Sequence, residues 1–571
     1  MTDTASTDRA ADLLAFADEV WTGLMTAQPI YATAIGDRRF LDGLPPNDAG
    51  AIDRERARIG GQLERARAIA PDGLSAADRV TRDALVDLLA YEQGLVESGI
   101  ARWSVDPLDG PQVTFLNIPS FQPATTVAEG EALVRRWREM GPWIDRHVAD
   151  LRSAAADGIV APRALVDRVV DELDHLLATP DAEWTLAAPA AADRPDWSAS
   201  ERDWFASGVA DAIRDAIRPA FERQRACLVD DLRPLARSDD EAGLGHVEGG
   251  AAAYRHLVAA HTTIDLDPAA IHAIGLEEIA RIDAEFAELG GRLLGTAGTA
   301  DTLARLRDDP ALRFATRDEV REVAEASLRR ATEAIPGWFG RLPQAPCEVV
   351  VMGDHESAHS TIAYYRQPAA DGSRPGSYYI NTTLPETRPR YEAEALAFHE
   401  SVPGHHLQLA IAQELSHLPA FRRFGGPTAF VEGWGLYTER LADEMGIYTG
   451  PMDRFGILSF DAWRACRLVV DTGMHALGWT RDQAIAYMHE HTALAGNNIV
   501  NEIDRYLAIP GQALAYKLGQ REILALRAQA QEQLGGAFDI RAFHDAVLDE
   551  GTVALPTLRG VIEAWIAGTG A

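Results

Sequence analysis

The sequence predicts a mainly α protein, a large multi-helix fold with one small β-sheet or hairpin. Three observations carry this. Long segments place apolar residues at three- and four-residue intervals, the spacing that keeps one helix face dry. Gly and Pro cluster between those segments, as at Pro45-Pro46, Pro189–Pro195 and Gly243–Gly250. One region alone, between Cys347 and Asn381, reads clearly as strand. With 571 residues, 47% of them hydrophobic, the chain has material for several packed layers. No repeat of fixed period is present.

In chain order, the periodic segments are Ala11–Ala27, Asp78–Ser98, Val127–Ala155, Pro162–Leu177, Ser200–Leu235, Ala251–Ala260 and Asp267–Leu294. Asp318–Ala334 is a further helix, ended by Pro336-Gly337. The β region follows. Cys347–Met352 and Ser377–Asn381 bracket the loop Pro368–Gly376, as in a hairpin or small sheet. From Tyr391 to Trp565 the pattern is helical again. The expected organisation is one compact unit: a helical half over 1–340, then a half over 341–571. The second half holds the sheet at about 347–382, a helix at about 391–416 and another at about 428–445.

That second half contains the most informative stretch, Ala397-Phe398-His399-Glu400-Ser401-Val402-Pro403-Gly404-His405-His406-Leu407-Gln408. It resembles a zinc-hydrolase helix with extra residues in it. In the usual HExxH form two His lie one turn apart and bind zinc, and the Glu beside the first is a general base. Here the second His comes six residues on, about 600° around an ideal helix, which points the rings nearly opposite ways. His399 and His405 meet only if the helix is interrupted. Pro403 and Gly404 are the residues that interrupt it: Pro lacks an N–H, and Gly tolerates unusual dihedrals. A bulge over Val402–Gly404 returns His405 to the place of the second ligand. His406 is the alternative; it faces the right way on a straight helix but lies about 10 Å along it.

Downstream, Phe430-Val431-Glu432-Gly433-Trp434-Gly435-Leu436-Tyr437-Thr438-Glu439 supplies Glu432 as third ligand. Two His and a Glu make a catalytic zinc set with a fourth position open to water. Glu400, beside a ligand but not one itself, is then placed to move the water proton. Glu439, seven residues after Glu432, is either a partner of a ligand His or a surface acid. His and carboxylate ligands also suit Mn or Co, so the expected cofactor is one Zn²⁺ by donor chemistry rather than by exclusion.

A second, formally complete HExxH stands at His355-Glu356-Ser357-Ala358-His359. It follows the apolar run Val349–Met352 and a Gly353-Asp354 turn, and precedes the strand-favouring Ser360–Tyr365. A zinc helix needs amphipathic flanks, which Tyr391–Leu415 has and this stretch lacks. A loop beside the site is the expected place for it.

The HESVPGHHLQ and AFVEGWGLYTE segments are similar to those of the bacterial domain-of-unknown-function 885 family. The similarity extends over nearly the whole chain, through Tyr31–Asp37, Tyr365–Asn381, Arg467–His475 and Glu502–Gly519. That family resembles zinc peptidases of the two-His-one-Glu kind: carboxypeptidase Taq, thimet oligopeptidase and angiotensin-converting enzyme. The resemblance implies a zincin-like helical fold with a deep central cleft, one wall of it formed by residues 1–340. In those enzymes a Gly-His pair carries the second ligand, which aligns Gly404-His405. It also implies a His and a Tyr near the oxyanion, for which His475, Tyr506 and Tyr516 are candidates. An edge strand beside the metal helix commonly pairs with substrate backbone in such enzymes, which points to Ser377–Asn381 with Tyr379.

Arg467 and Arg505 are candidates for binding a substrate carboxylate, or are buried partners of Asp471 and Glu502. Lys517 is the one lysine among 54 basic residues, and Arg does not always replace a compact ammonium in a tight site. It joins Tyr379, Arg505 and Tyr516 as a candidate substrate-binding residue. The expected function is a zinc-dependent hydrolase of short peptides. The alternatives are an amidase acting on a non-peptide amide and a non-catalytic metal- or peptide-binding protein. No GxSxG elbow supports a serine hydrolase.

Net charge of −32 argues against nucleic acid as a partner, since phosphates need a basic surface. No apolar run approaches the roughly 20 residues that span a bilayer, so no membrane partner is expected. The polar, acidic start Met1–Asp8 is unlike a signal peptide. Cys227, Cys347 and Cys466 lack metal or disulfide spacing, which fits a reducing cytoplasm.

Overall fold

A computed structural model describes residues 2–102, 104–353, 361–370, 372 and 374–570. Among them the fold is mainly α, with one small mixed sheet of three strands. Most of the periodic segments are helices within a few residues of their expected bounds; the first, expected from Ala11, begins at Thr2. Val127–Ala156 shows why. Thr126 and Glu129 form a reciprocal cap: the Glu129 N–H donates to Thr126 Oγ1 (3.3 Å), and the Thr126 N–H donates to Glu129 Oε2 (3.1 Å). Beyond the cap, Leu133, Trp137, Met140, Ile144, Val148 and Leu151 fall on one stripe and are buried. Each such side chain contributes about 1.5–3 kcal/mol when taken from water. The segment read as Ser200–Leu235 winds as Ala199–Ala212 and Arg218–Ala226, with wider π turns at Ile213–Ile217 and Cys227–Leu232. Pro219, which has no N–H to donate, follows the first of these turns.

Three large apolar cores hold the helices together. One joins the two ends of the chain: Leu13, Val20 and Leu24 of the first helix, Thr2–Ala27, share it with Phe398, Leu407, Phe430, Trp434 and Ile562. A second lies among the helices between 127 and 232 and also takes in Leu468, Leu514 and Leu518. The third packs helix Pro268–Leu293 on helix Arg454–Ala476 through Ile279, Ile282, Phe286, Leu458 and Val470.

Helix Arg454–Ala476 is buried on every side from Phe455 to His475 except at Trp463. Yet it carries Asp461, Arg464, Arg467, Asp471 and His475 at three- and four-residue steps. A polar stripe therefore runs down the inside of the molecule, where each group must find a partner.

The sheet corrects the strand reading. β1 is Cys347–Val351, β2 is Ala363–Arg366 and β3 is Gly376–Ile380, in the order β1-β3-β2. β1 and β3 do not form a hairpin: they run parallel, with Val349 opposite Tyr378. The hairpin is β2–β3, with Tyr365 opposite Tyr378. β3 is thus the central strand, and its backbone bonds are taken on both sides. It is not an edge open to a substrate backbone. Tyr378 and Ile380 pack toward Ala397, two residues before His399, which ties the sheet to that segment. No described helix is long and apolar enough to cross a membrane.

Candidate metal centre

The expected metal helix is broken in two. Ala393–Glu400 ends in His399 and Glu400, and His405–Glu414 begins with His405. Ser401–Gly404 between them is non-helical, and the Val402–Pro403 peptide is cis. The interruption is therefore a full break rather than a bulge in one helix. Gly404 is required by close approach: a Cβ there would lie 1.9 Å from His399 O and 2.4 Å from Phe398 O. The break is anchored from outside, since Trp434 Nε1 donates to Pro403 O (3.0 Å).

Helix Thr428–Glu444 brings the third residue. Glu432 and Glu439 lie two turns apart on it, and Gly435 between them leaves room for an imidazole. A Cβ on Gly435 would stand 2.7–3.0 Å from the His399 ring. The result is a compact group in which ligand atoms of His399, His405 and Glu432 all lie within 4.8 Å of one another. Glu432 Oε2 is 3.5 Å from both His399 Nε2 and His405 Nε2. Two atoms bound to one tetrahedral zinc at about 2.1 Å stand about 3.4 Å apart. The donor set and its spacing thus fit a metal ion.

The surroundings favour positive charge. His399 Nδ1 lies 2.8 Å from Glu439 Oε1. A carboxylate accepts only, so the hydrogen is on Nδ1, and Nε2 is turned toward Glu432. Burial works against a charge on His399. Its bonds to Glu432 and Glu439 outweigh burial and raise its pKa to about 10. Burial likewise pushes Glu432 upward, but His399 and His405 hold it well below the usual carboxylate range. Glu400 is partly exposed and makes no hydrogen bond or ion pair to a described residue. Its charge is felt by His399 and by the buried Tyr378.

The sequence model of the family described as bacterial protein of unknown function, DUF885, matches residues 29–562. The chain belongs to the DUF885 family. A crystal structure of a "putative lipoprotein" from Colwellia psychrerythraea is 26% identical to this DUF885 protein. That likeness covers 98% of this chain and 99% of the other, with a TM-score of 0.91. A "putative lipoprotein of unknown function" from Shewanella oneidensis is 17% identical, covers 96% of this chain and 99% of its own, and has a TM-score of 0.74. The second likeness shows the fold alone. No curated protein matches the chain.

Several residues singled out in the sequence of this DUF885 protein lie elsewhere. His406 is not in the ion group: its Nδ1 pairs with Tyr365 Oη (2.9 Å) and its Nε2 with Ala345 O (3.0 Å). His475 has both ring nitrogens engaged, Nδ1 accepting from the Leu244 N–H (3.1 Å) and Nε2 donating to Tyr506 O (3.0 Å). Burial lowers its pKa to about 3, so it is a neutral core residue with no nitrogen left for an oxyanion. Tyr506 gives its hydroxyl proton to Glu502 (2.7 Å) and accepts from Arg467 Nε (2.8 Å) and Trp463 Nε1 (3.1 Å). That hydroxyl is fully used. Lys517 is also fully used: its ammonium bonds Asp461, Gln520 Oε1 (2.8 Å) and Glu278 Oε2 (3.2 Å). Three acceptors around one buried nitrogen explain a lysine where the chain otherwise uses arginine. Within the fold Lys517 is held by these three bonds.

Tyr379 stacks on Tyr364 with ring centroids 4.7 Å apart, on the central strand. Arg505 donates to Gln512 Oε1 (3.0 Å) and Tyr516 Oη (3.3 Å), so these two predicted residues do come together. The other HExxH, His355–His359, lies outside the described residues. Sequence reasoning passed over Arg464, whose signal was present. It sits three residues from both Asp461 and Arg467 on the one polar stripe of a buried helix.

Proposed function

We propose that this protein is a metal-dependent hydrolase, a metallopeptidase-like enzyme that uses zinc to cleave short peptides. The observation that supports this most is the buried His399–His405–Glu432 group with a carboxylate unpaired among the described residues, Glu400, next to it in sequence. A zinc ion held by such a set polarises a carbonyl and acidifies water. The chain supplies the rest. His399 is oriented by Glu439, which holds the Nδ1 proton and presents Nε2 inward. Glu400 takes a proton from the attacking water and delivers it to the departing amine. Glu400 makes no hydrogen bond or ion pair among the described residues, which suits that work, because a carboxylate locked in an ion pair is a weaker base. A protein that only stores metal has no need of that free carboxylate.

The test is Glu400→Gln. The variant should keep bound metal and lose roughly 10²–10⁴ of peptide turnover. Unchanged turnover would remove Glu400 from the mechanism.

A further inference from the structure

Three guanidinium groups gather around one aromatic residue, Tyr516. Arg464 and Arg467 come from helix Arg454–Ala476, and Arg505 from helix Gly496–Ala508. Two of them pair with Glu502: Arg467 Nη2 binds its Oε2 (2.8 Å), and Arg505 Nη1 stands 3.8 Å from its Oε1. Glu502 also accepts from Tyr506.

Arg464 is 5% exposed, yet among the described residues its buried Nε and Nη1 have no hydrogen-bond partner and it makes no ion pair. Arg467 is 1% exposed, and its Nη1 is likewise buried and unpartnered. Burying a charged donor without an acceptor is strongly unfavourable, so native proteins rarely leave one so. Other acids do not fill the role. Glu392 is within electrostatic reach of Arg464, but its Oε1 accepts from Ser459 Oγ (2.6 Å). Asp106 and Asp109 are felt by Arg505 and make no hydrogen bond to it.

Aromatic rings lie against the guanidinium faces of Arg464 and Arg467. The Arg464 guanidinium carbon is 4.2 Å from the Trp463 ring centroid and 4.7 Å from that of Phe460. Arg467 lies 4.3 Å from the Tyr516 ring. Guanidinium N–H groups point outward in the plane, so stacking satisfies the face and not the donors. A planar, bidentate acceptor between aromatic walls is the complement: a carboxylate.

The cluster is joined to the ion group by helix packing. Tyr516, which touches both Arg467 and Arg505, lies three residues before Gly519 on helix Ala515–Leu534. Gly519 seats against Gly433, the neighbour of Glu432; a Cβ on Gly433 would stand 2.5 Å from the Gly519 Cα.

We infer that Arg464, Arg467 and Arg505 form a receptor for a carboxylate of the substrate. Its substrates are short peptides with a free C-terminal carboxylate, cut near that end. The identity of the carboxylate's owner rests on the hydrolase reading above; the anion site itself does not.

The experiment uses full-length, metal-loaded Glu400→Gln protein, in which turnover is suppressed. Calorimetry compares N-acetyl-Ala-Phe with its C-terminal amide. The acid is expected to bind at least about tenfold more tightly, the size of one charge-assisted bond pair. Arg464→Leu should bring the two within about twofold. Equal binding of acid and amide overturns the proposal. So does failure of the acid to bind at millimolar concentration, tighter binding of inorganic phosphate than of the acid, or a preference unchanged by Arg464→Leu. The comparison in the Glu400→Gln protein alters no arginine, so it stands even if the Arg464 variant misfolds. If the acid is preferred while the unaltered protein cleaves no peptide, the anion site stands and the hydrolase reading falls.

Discussion

Glu439 gives a direct view of how single atoms tune the site. It is buried at 1% exposure, and the contact it makes is with His399 Nδ1. Glu439→Gln keeps the shape and an acceptor but removes the charge. The expected outcome is a 10- to 100-fold loss of zinc affinity, read by competition with a chromophoric chelator, with the melting curve nearly unchanged. The grouping of His399 with His405 was legible because both lie within one short segment that Pro403-Gly404 interrupts. His475, Tyr506 and Lys517 were not, because a polar side chain in a core and one at a site look alike in a sequence. What separates them is the count of their partners, which depends on helices far away in the chain.

At the level of elements, the break between helices Ala393–Glu400 and His405–Glu414 is what makes two distant ring directions converge. Gly404 is its critical point. Gly404→Ala forces a methyl group into the His399 and Phe398 carbonyls. The expected cost is about 2–3 kcal/mol of stability with a loss of bound zinc, seen together in a denaturation series and metal analysis. A stable, zinc-replete Gly404→Ala protein would mean that the break has another geometry.

Long helices with wide apolar stripes were readable from spacing. Helix Ala51–Ala68 was passed over because its buried face is narrow, with Ile59, Leu63 and Ala66 set among charged residues. The sheet was located correctly but its topology was not. Strand periodicity says which face is buried and nothing about which strand takes the middle place. β2 needed only four residues, Ala363–Arg366, to pair with β3 and close its second edge.

Across the whole molecule, the cores interleave the first and last parts of the chain, and buried charges recur far from the ion group. Asp471 is fully buried; it accepts from Tyr254 Oη and from the Gly511 N–H (3.1 Å). Burial, partly offset by those bonds, pushes its pKa up to about 7. A carboxyl with a raised folded pKa binds its proton more tightly when folded. Its contribution therefore favours folding at low pH and is lost as pH climbs from the ordinary carboxylate value toward 7. Asp471→Asn should raise the melting temperature relative to the parent at pH 8, and the gain should shrink as pH falls to 5. A gain independent of pH would show that the carboxyl does not titrate there.

On this reading His399, His405 and Glu432 hold one metal ion. Metal binding there is tested most directly by elemental analysis of zinc-loaded, desalted protein, run beside His399→Ala, His405→Ala and His406→Ala. The predicted result is one zinc per chain, lost in the His399 and His405 variants and kept in the His406 variant. Zinc absent from the parent protein, or retained when His399 and His405 are removed, would contradict it.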